Sequence, residues 1–275
     1  MNQSSGTHGE YVLGASSSEY ERLNAQAQAW APITLDVLGK TGLGPGMSAL
    51  DVGCGTGAVM QLMGRLVGAN GQVVGVDRDG PLGATALEHL RRQQSEIYRF
   101  VESDLMAIEQ IQGAPFDLVF TRLLLFHLPD PLAALKRMWN WVKPGGTLLV
   151  MDLDMTSSRG FPSHPVGSRA IQLMRDIFVA LGKDIEIGSR MPYLFASAGI
   201  GTPDACDVFG FIVPNQDGGG MVQAVLKSLR PAAIAKGVID VVSLDALDEE
   251  LSQIKADGGF GRWPDLVATR KRKPH

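Results

Sequence analysis

Cysteine is scarce. Two residues, Cys54 and Cys206, occur in a chain of 275, too few for a disulfide framework and without the spacing of a zinc site. A chain of this length can bury a full core without such staples. Long apolar runs are missing too. No window of about 18 uninterrupted apolar residues occurs, so no membrane-spanning helix is expected. The opening MNQSSGTHGE lacks a basic stretch followed by an apolar one, so it does not read as a secretory leader. Excess charge is small: the net charge of −4 leaves no whole-chain footprint for nucleic acid. The one basic run, Arg270 to Lys273, lies at the end and reads as a solvated tail. No repeat and no low-complexity tract stands out. These absences predict a cytoplasmic protein in a reducing compartment, with no nucleic-acid or membrane partner; oligomeric state has no marker here.

What is present is a rhythm. Ser18 and Glu21 make a capping-box pattern, and Tyr20, Leu23, Ala27, Trp30 and Ile33 follow at helical spacing. Pro32 is expected to kink or split that helix. From about residue 46 strand and helix patterns alternate. The strands are 48–52, 72–76, 97–101, 116–120 and 147–151; the helices are 58–67, 82–95 and 131–142, the last stopped by KPGG. This spacing predicts βαβ units and a parallel sheet covered on both faces. After Asp154 the rhythm changes. Helices are expected over 170–181 and 191–198 and near 221–229 and 244–254. Strands are expected over 205–211 and 264–270, completing the sheet in antiparallel fashion beneath a helical insertion.

The first strand runs directly into Asp51-Val52-Gly53-Cys54-Gly55-Thr56-Gly57. Glycine at every second position lets the backbone approach a ligand closely and turn into a helix. Asp77, twenty residues beyond Gly57, ends the second strand, where a carboxylate can accept from both hydroxyls of a ribose. Gly53, Gly55 and Ala58 also satisfy the looser dinucleotide fingerprint, so the loop alone leaves the ligand open. The rest of the chain narrows it. The third strand leads into Glu102-Ser103-Asp104-Leu105, a carboxylate positioned for an adenine amino group; the fourth ends in TRLLLFHLPDP; the fifth follows VKPGG.

In order and spacing, ALDVGCGTG, VVGVD, ESDL, FDLVFTR and LKRMWNWVKPGGTLLVMD resemble the motif set of class I S-adenosylmethionine-dependent methyltransferases, over roughly residues 46–152. EYVLGASSSEYERLNAQA near the start and FGRWPDLVATRKRKP near the end resemble a small-molecule subgroup, many of whose members serve natural-product pathways. The resemblance implies a Rossmann-like seven-stranded sheet, six strands parallel and one antiparallel, flanked by helices. It divides the single domain into an N-terminal helical lid (1–45), a cofactor-binding core (46–154) and a completion of the sheet with a substrate cap (155–275). It implies that Gly53, Cys54, Gly55 and Gly57 form the loop along methionine and ribose, with Cys54 a small packing residue. Asp51 orients that loop. Asp77 takes the ribose hydroxyls, Arg78 lies over the adenine edge, and Asp104 and Leu105 contact adenine. Thr121 and Arg122 lie near the methionine moiety and the acceptor. Tyr11, Arg22 and Gln26 fold down as a lid.

Each assignment has a competitor. Asp104 could be a helix cap, and Arg122 the partner of a structural carboxylate. His127 suits a general base near neutrality but could simply pack against its loop. Asp152 and Asp154 could edge the site or make turns, and His164 reads as a surface residue. Leu173, Met174 and Ile177 read as core, or as the lining of an apolar pocket. The end of the fourth strand, Val119-Phe120-Thr121-Arg122, lacks the Asn/Asp-Pro-Pro-aromatic motif of DNA and amide N-methylating relatives. It also lacks the carboxylate of the metal-dependent catechol type, so no catalytic metal is expected. The expected function is methyl transfer from S-adenosylmethionine to a small organic acceptor, leaving S-adenosylhomocysteine. Phe161, Phe178, Tyr193, Phe195, Phe209 and Phe211 suggest an acceptor with hydrophobic surface. Two competing readings are a related enzyme turned to cyclisation or a pericyclic step, and an NAD-binding oxidoreductase or non-catalytic binding protein.

Overall fold

A computed structural model of the chain describes residues 17–93, 96–254 and 259–275, with the backbone alone at 17–26, 93, 215–219 and 221. The elements begin with α1 (Ser17–Gly39), β1 (Ser48–Val52), α2 (Ala58–Val67), β2 (Gln72–Asp77), α3 (Gly80–Gln93), β3 (Tyr98–Glu102) and β4 (Phe116–Arg122). Then come α4 (Pro131–Asn140), β5 (Val142–Asp154), β6 (Arg159–Phe161), α5 (Pro165–Ala180), α6 (Ile187–Ser197), β7 (Ala205–Phe209) and β8 (Ile212–Pro214). The last are α7 (Asn215–Ala235), α8 (Val241–Ser252), β9 (Phe260–Arg262) and β10 (Asp265–Arg272).

Seven strands form one sheet in the order β3-β2-β1-β4-β5-β10-β7. Only β10 runs antiparallel, pairing Asp265 with Asp154 of β5 and Leu266 with Phe209 of β7. The sheet is the expected one, six parallel strands and one opposed. Because alternate side chains point to opposite faces, each strand feeds two cores. Leu50, Val52, Val119 and Val150 pack under α4, α5, α6, α7 and α8. Ala49, Leu118, Phe120 and Met151 pack under α1, α2 and α3. Local sequence explains the helices. In α2, Val59, Met60, Leu62, Met63 and Val67 make one buried stripe. In α4, Pro131 takes the first turn and Asp130 caps it, accepting from the Ala133 amide at 2.9 Å.

The structure departs from the sequence reading in four places. Helix α1 is not split at Pro32; its Trp30, Val37 and Leu38 are buried on the sheet, and that packing outweighs the lost hydrogen bond. The KPGG segment is not a turn before the fifth strand but part of a 13-residue β5, with an irregularity where Val142 faces Phe116 and Thr147 faces Leu118. The basic run is no solvated tail: Arg270 pairs with Asp207 at 2.6 Å and Lys271 with Asp204 at 2.7 Å, inside β10. Finally, β6, β9 and β8 form a separate three-stranded sheet of three-residue strands, too short to show a period. It lies beyond the ends of β5 and β7 and the start of β10.

Candidate functional site

The strand order reverses between β1 and β4, and in an open α/β sheet such a switch opens a crevice at the carboxyl ends of the strands. The glycine loop lies there. Gly53 and Cys54 anchor it by donating to the Val76 carbonyl at 2.7 and 3.1 Å. Gly53, Gly55 and Gly57 all have positive φ, at 74°, 49° and 73°. Their surroundings differ. A Cβ at Gly53 would lie 3.1 Å from Leu124, and one at Gly57 3.1 Å from Ala86 and Leu90, so both are fixed by packing. At Gly55 nothing lies within 4 Å, and the backbone there faces open space. Cys54 is buried, and its Sγ would lie 2.8 Å from a Cβ on Gly75. Burial pushes its thiol pKa far up, which suits the packing role and not a nucleophile.

Asp77 ends β2 at the rim. Its Oδ2 accepts from the Gly55 amide at 2.8 Å and its Oδ1 from Asp79 at 3.0 Å, so the carboxylate is aimed by backbone donors. Across the ladder it stands beside Glu102. Asp104 starts a helical turn: its Oδ1 accepts from the Met106 amide at 2.7 Å and its carbonyl from Ala107 and Ile108. Leu105 beside it is buried. Arg78 is exposed on the crevice wall, and its charge, together with burial, lowers the pKa of Lys183 opposite.

Two charged groups sit deeper, on the α1 side of the sheet. Asp51 is 2% exposed, and its Oδ2 has no hydrogen-bond partner among the described residues. Burial raises its pKa to about 7 against the opposing pull of Arg122. Arg122 does not bond to that carboxylate. It donates to Thr34 Oγ1 at 2.7 Å, and Thr34 donates to the Trp30 carbonyl at 2.8 Å. Burial lowers the Arg122 pKa to about 10 while Asp51 pulls it up. Thr121 is fully buried and donates to the Val52 carbonyl at 2.8 Å, which turns its hydroxyl into the sheet.

The chain leaves β4 through Leu123, whose φ of 58° is rare for a branched side chain, and enters a short turn, Leu125–His127. The buried Asp152 carboxylate anchors the turn by accepting from the Phe126 amide at 3.2 Å, and it also holds Leu153 at 2.9 Å. Burial raises its pKa to about 7. Lys183 donates to the His127 carbonyl at 2.9 Å, and the His127 ring stands edge-on to Phe126 at 5.2 Å. His127 is thus held from two sides at the crevice mouth. Asp154 belongs to a structural knot with Thr156 and Ser189, and His164 caps α5 through the Val166 amide. Met174 and Ile177 are core.

The crevice therefore gathers the glycine loop, Asp51, Asp77, Arg78, Arg122 and the His127 turn. Tyr11 lies outside the described residues, as do the side chains of Arg22 and Gln26. Thr34 and Lys183 have no local signature; they reach the site across 88 and 56 residues.

Comparison with known proteins agrees with this architecture. A demethylmenaquinone methyltransferase of Lactococcus lactis is 28% identical over 62% of this chain and 67% of its own length. A ubiquinone biosynthesis O-methyltransferase of Xanthomonas campestris is 35% identical over 51% of this chain. The chain covers only 56% of that relative, so it spans little more than half of its length. Among solved structures, a methyltransferase-like protein of Bacillus halodurans matches with a TM-score of 0.59 at 15% identity, covering 88% of this chain and 99% of the other. The cyclase SpnF matches with a TM-score of 0.53 at 18% identity, over 90% of this chain and 82% of its own. At those identities the likeness is one of fold. Residues 43–183, just over half of the chain, match the family described as a methyltransferase domain, and the chain belongs to that family of class I S-adenosylmethionine-dependent methyltransferases.

Proposed function

We propose that the chain transfers the methyl group of S-adenosylmethionine to a small, partly hydrophobic organic acceptor. One observation carries the reading: at the switch point, Gly55 leaves its backbone open to the crevice while its amide aims the Asp77 carboxylate along the same rim. The surrounding residues fit the donor. Asp51 offers a buried carboxylate oxygen with no partner among the described residues, suited to a cationic group, and Asp77 offers an aimed acceptor for ribose hydroxyls. Arg78, Asp104 and Leu105 border the adenine side. Tyr11 and Gln26 are proposed as the lid.

When bound, S-adenosylmethionine supplies an electrophilic methyl carbon on a sulfonium. The protein's part is alignment and exclusion of water, and positioning of this kind lowers a barrier by about 7–11 kcal/mol. The His127 imidazole, on a turn whose backbone is held by Asp152 and Lys183, is assigned as the base that takes the acceptor's proton. Arg122 sets the local potential beside the donor. Two relatives whose names refer to menaquinone and ubiquinone biosynthesis support a small organic acceptor.

Calorimetry with S-adenosylhomocysteine tests the reading, followed by transfer of labelled methyl to a panel of phenolic and hydroquinone acceptors. Failure to bind would overturn it. Binding with turnover of an acceptor but no label in the product would favour the cyclisation reading.

A further inference from the structure

Arg122 is a half-buried cation with a neutral partner. It donates to Thr34 Oγ1 at 2.7 Å. Among the described residues no carboxylate lies within ion-pair distance of it, although Asp51 is near enough to pull on its charge. Burying a charge is costly unless an opposite charge meets it. A tie between α1 and the sheet would need only a neutral donor. Two opposite charges that stand near each other without closing mark a place where something else sets the direction of the guanidinium.

Thr34 sets it. The residue is fully buried, and its hydroxyl proton goes to the Trp30 carbonyl, one turn back along α1, at 2.8 Å. A hydroxyl has one proton to give and lone pairs with which to accept. With the proton committed, the accepting side is left for Arg122. The Trp30 carbonyl is fixed in turn by packing. The Trp30 ring is 2% exposed, meets Phe211 edge-on at 4.5 Å and lies 6.3 Å from Trp263. Arg122 therefore takes its direction from the seat of α1 on the sheet. Strand register locates the other end. Val52 pairs with Thr121, so Arg122, one residue further, stands level with Gly53 at the start of the glycine loop. Unlike Thr34, it keeps part of its surface open there. A guanidinium carries five N–H groups, and Thr34 occupies one of its nitrogens.

We propose that Thr34 is a positioning residue for the donor: it turns the Arg122 guanidinium off Asp51 and toward the crevice, where the N–H groups left over take the carboxylate of the donor's methionine part. The chemistry follows from the group. A planar fork of N–H donors matches a carboxylate. The amino-acid end is the part of S-adenosylmethionine that carries one. The inference rests on the donor assigned above and not on the acceptor or the base.

The test uses the full chain and calorimetry with two ligands, S-adenosylhomocysteine and its decarboxylated analogue. The readout is the ratio of their affinities. A general loosening of α1 weakens both alike and leaves the ratio in place. Wild type should prefer S-adenosylhomocysteine by about tenfold or more. Thr34→Val keeps the shape and loses the hydroxyl, and should cut that preference to about threefold or less. Thr34→Ser keeps the hydroxyl and should retain it. If Thr34→Val does not fold, Thr34→Ala serves in its place. A preference unchanged in Thr34→Val, lost equally in Thr34→Ser, or absent from the wild type would overturn the positioning role while leaving the donor in place. A wild-type chain that binds neither ligand would overturn the donor reading, and the positioning role with it.

Discussion

Asp51 holds a carboxylate in the core with one oxygen unpartnered and a pKa raised to about 7. A cationic group of the donor would complete it only when it is ionised. We therefore expect affinity for S-adenosylhomocysteine, read by calorimetry, to fall as pH drops below about 7. Asp51→Asn should weaken binding at pH 8 by about tenfold or more and flatten the profile; an unchanged profile in that variant would remove Asp51 from the donor site. His127 carries a separate prediction. With a protic acceptor, His127→Ala should lower kcat by about 10²–10⁴-fold while S-adenosylhomocysteine affinity stays within twofold or so. A wild-type kcat would reject the base. The residue scale is also where sequence reading was most complete at the glycine loop, since an alternating-glycine turn after a strand has few structural meanings. It was least complete for Arg122, whose partner turned out to be Thr34 and not a carboxylate.

At the scale of elements, the site depends on how closely α6 approaches β5. Gly188 of α6 lies against the β5 backbone, and a Cβ there would stand 2.7 Å from the Asp152 carbonyl. Backbone cannot give way as a side-chain tip can. Gly188→Ala should cost about 1–3 kcal/mol in denaturant unfolding. It should also lower kcat, because the displaced strand end carries the Asp152 carboxylate that anchors the His127 turn. Stability equal to wild type would show that the contact is loose. Element existence was legible for β1, β2, β3 and β4 and their helices, where apolar runs and periodic stripes coincide with turn residues. Element length was not: β5 absorbs KPGG because Val142 before it still pairs with Phe116 of β4, and Lys273, just past β10, exchanges backbone hydrogen bonds with Gly145 and Gly146.

For the whole molecule, two sets of carboxylates pull stability in opposite directions with pH. Asp51 and Asp152 have folded pKa values raised to about 7 by burial. Their contribution is fully present below the unfolded value near 3.8 and is lost as pH rises through 7. Asp117, Asp154 and Asp204 have lowered values, through Lys143 and Ser48, through Ser189 and Thr156, and through Lys271. Their contribution is present above the unfolded value and is lost as pH falls through the folded ones. The Tm measured by scanning calorimetry should therefore be highest near about pH 4, fall between about pH 4 and 7, and level off above that. A Tm that climbs steadily from about pH 4 to 7 would mean that the buried carboxylates are compensated.

The sequence by itself determined the parts of this protein that are written locally: the glycine loop at 51–57, the acidic strand ends at Asp77 and Asp104, and the alternation that makes a parallel sheet. Each depends on residues within a turn or strand of one another, where spacing alone constrains the backbone. Only the tertiary structure decided which distant side chains meet there. Arg122 reaching Thr34, Lys183 holding His127 and the meeting of Trp30, Phe211 and Trp263 arise from the packing of α1 and the late strands on the two faces and the far edge of the sheet. No local pattern encodes such contacts, because a side chain's partner is set by the layer that covers it and not by its neighbours in the chain.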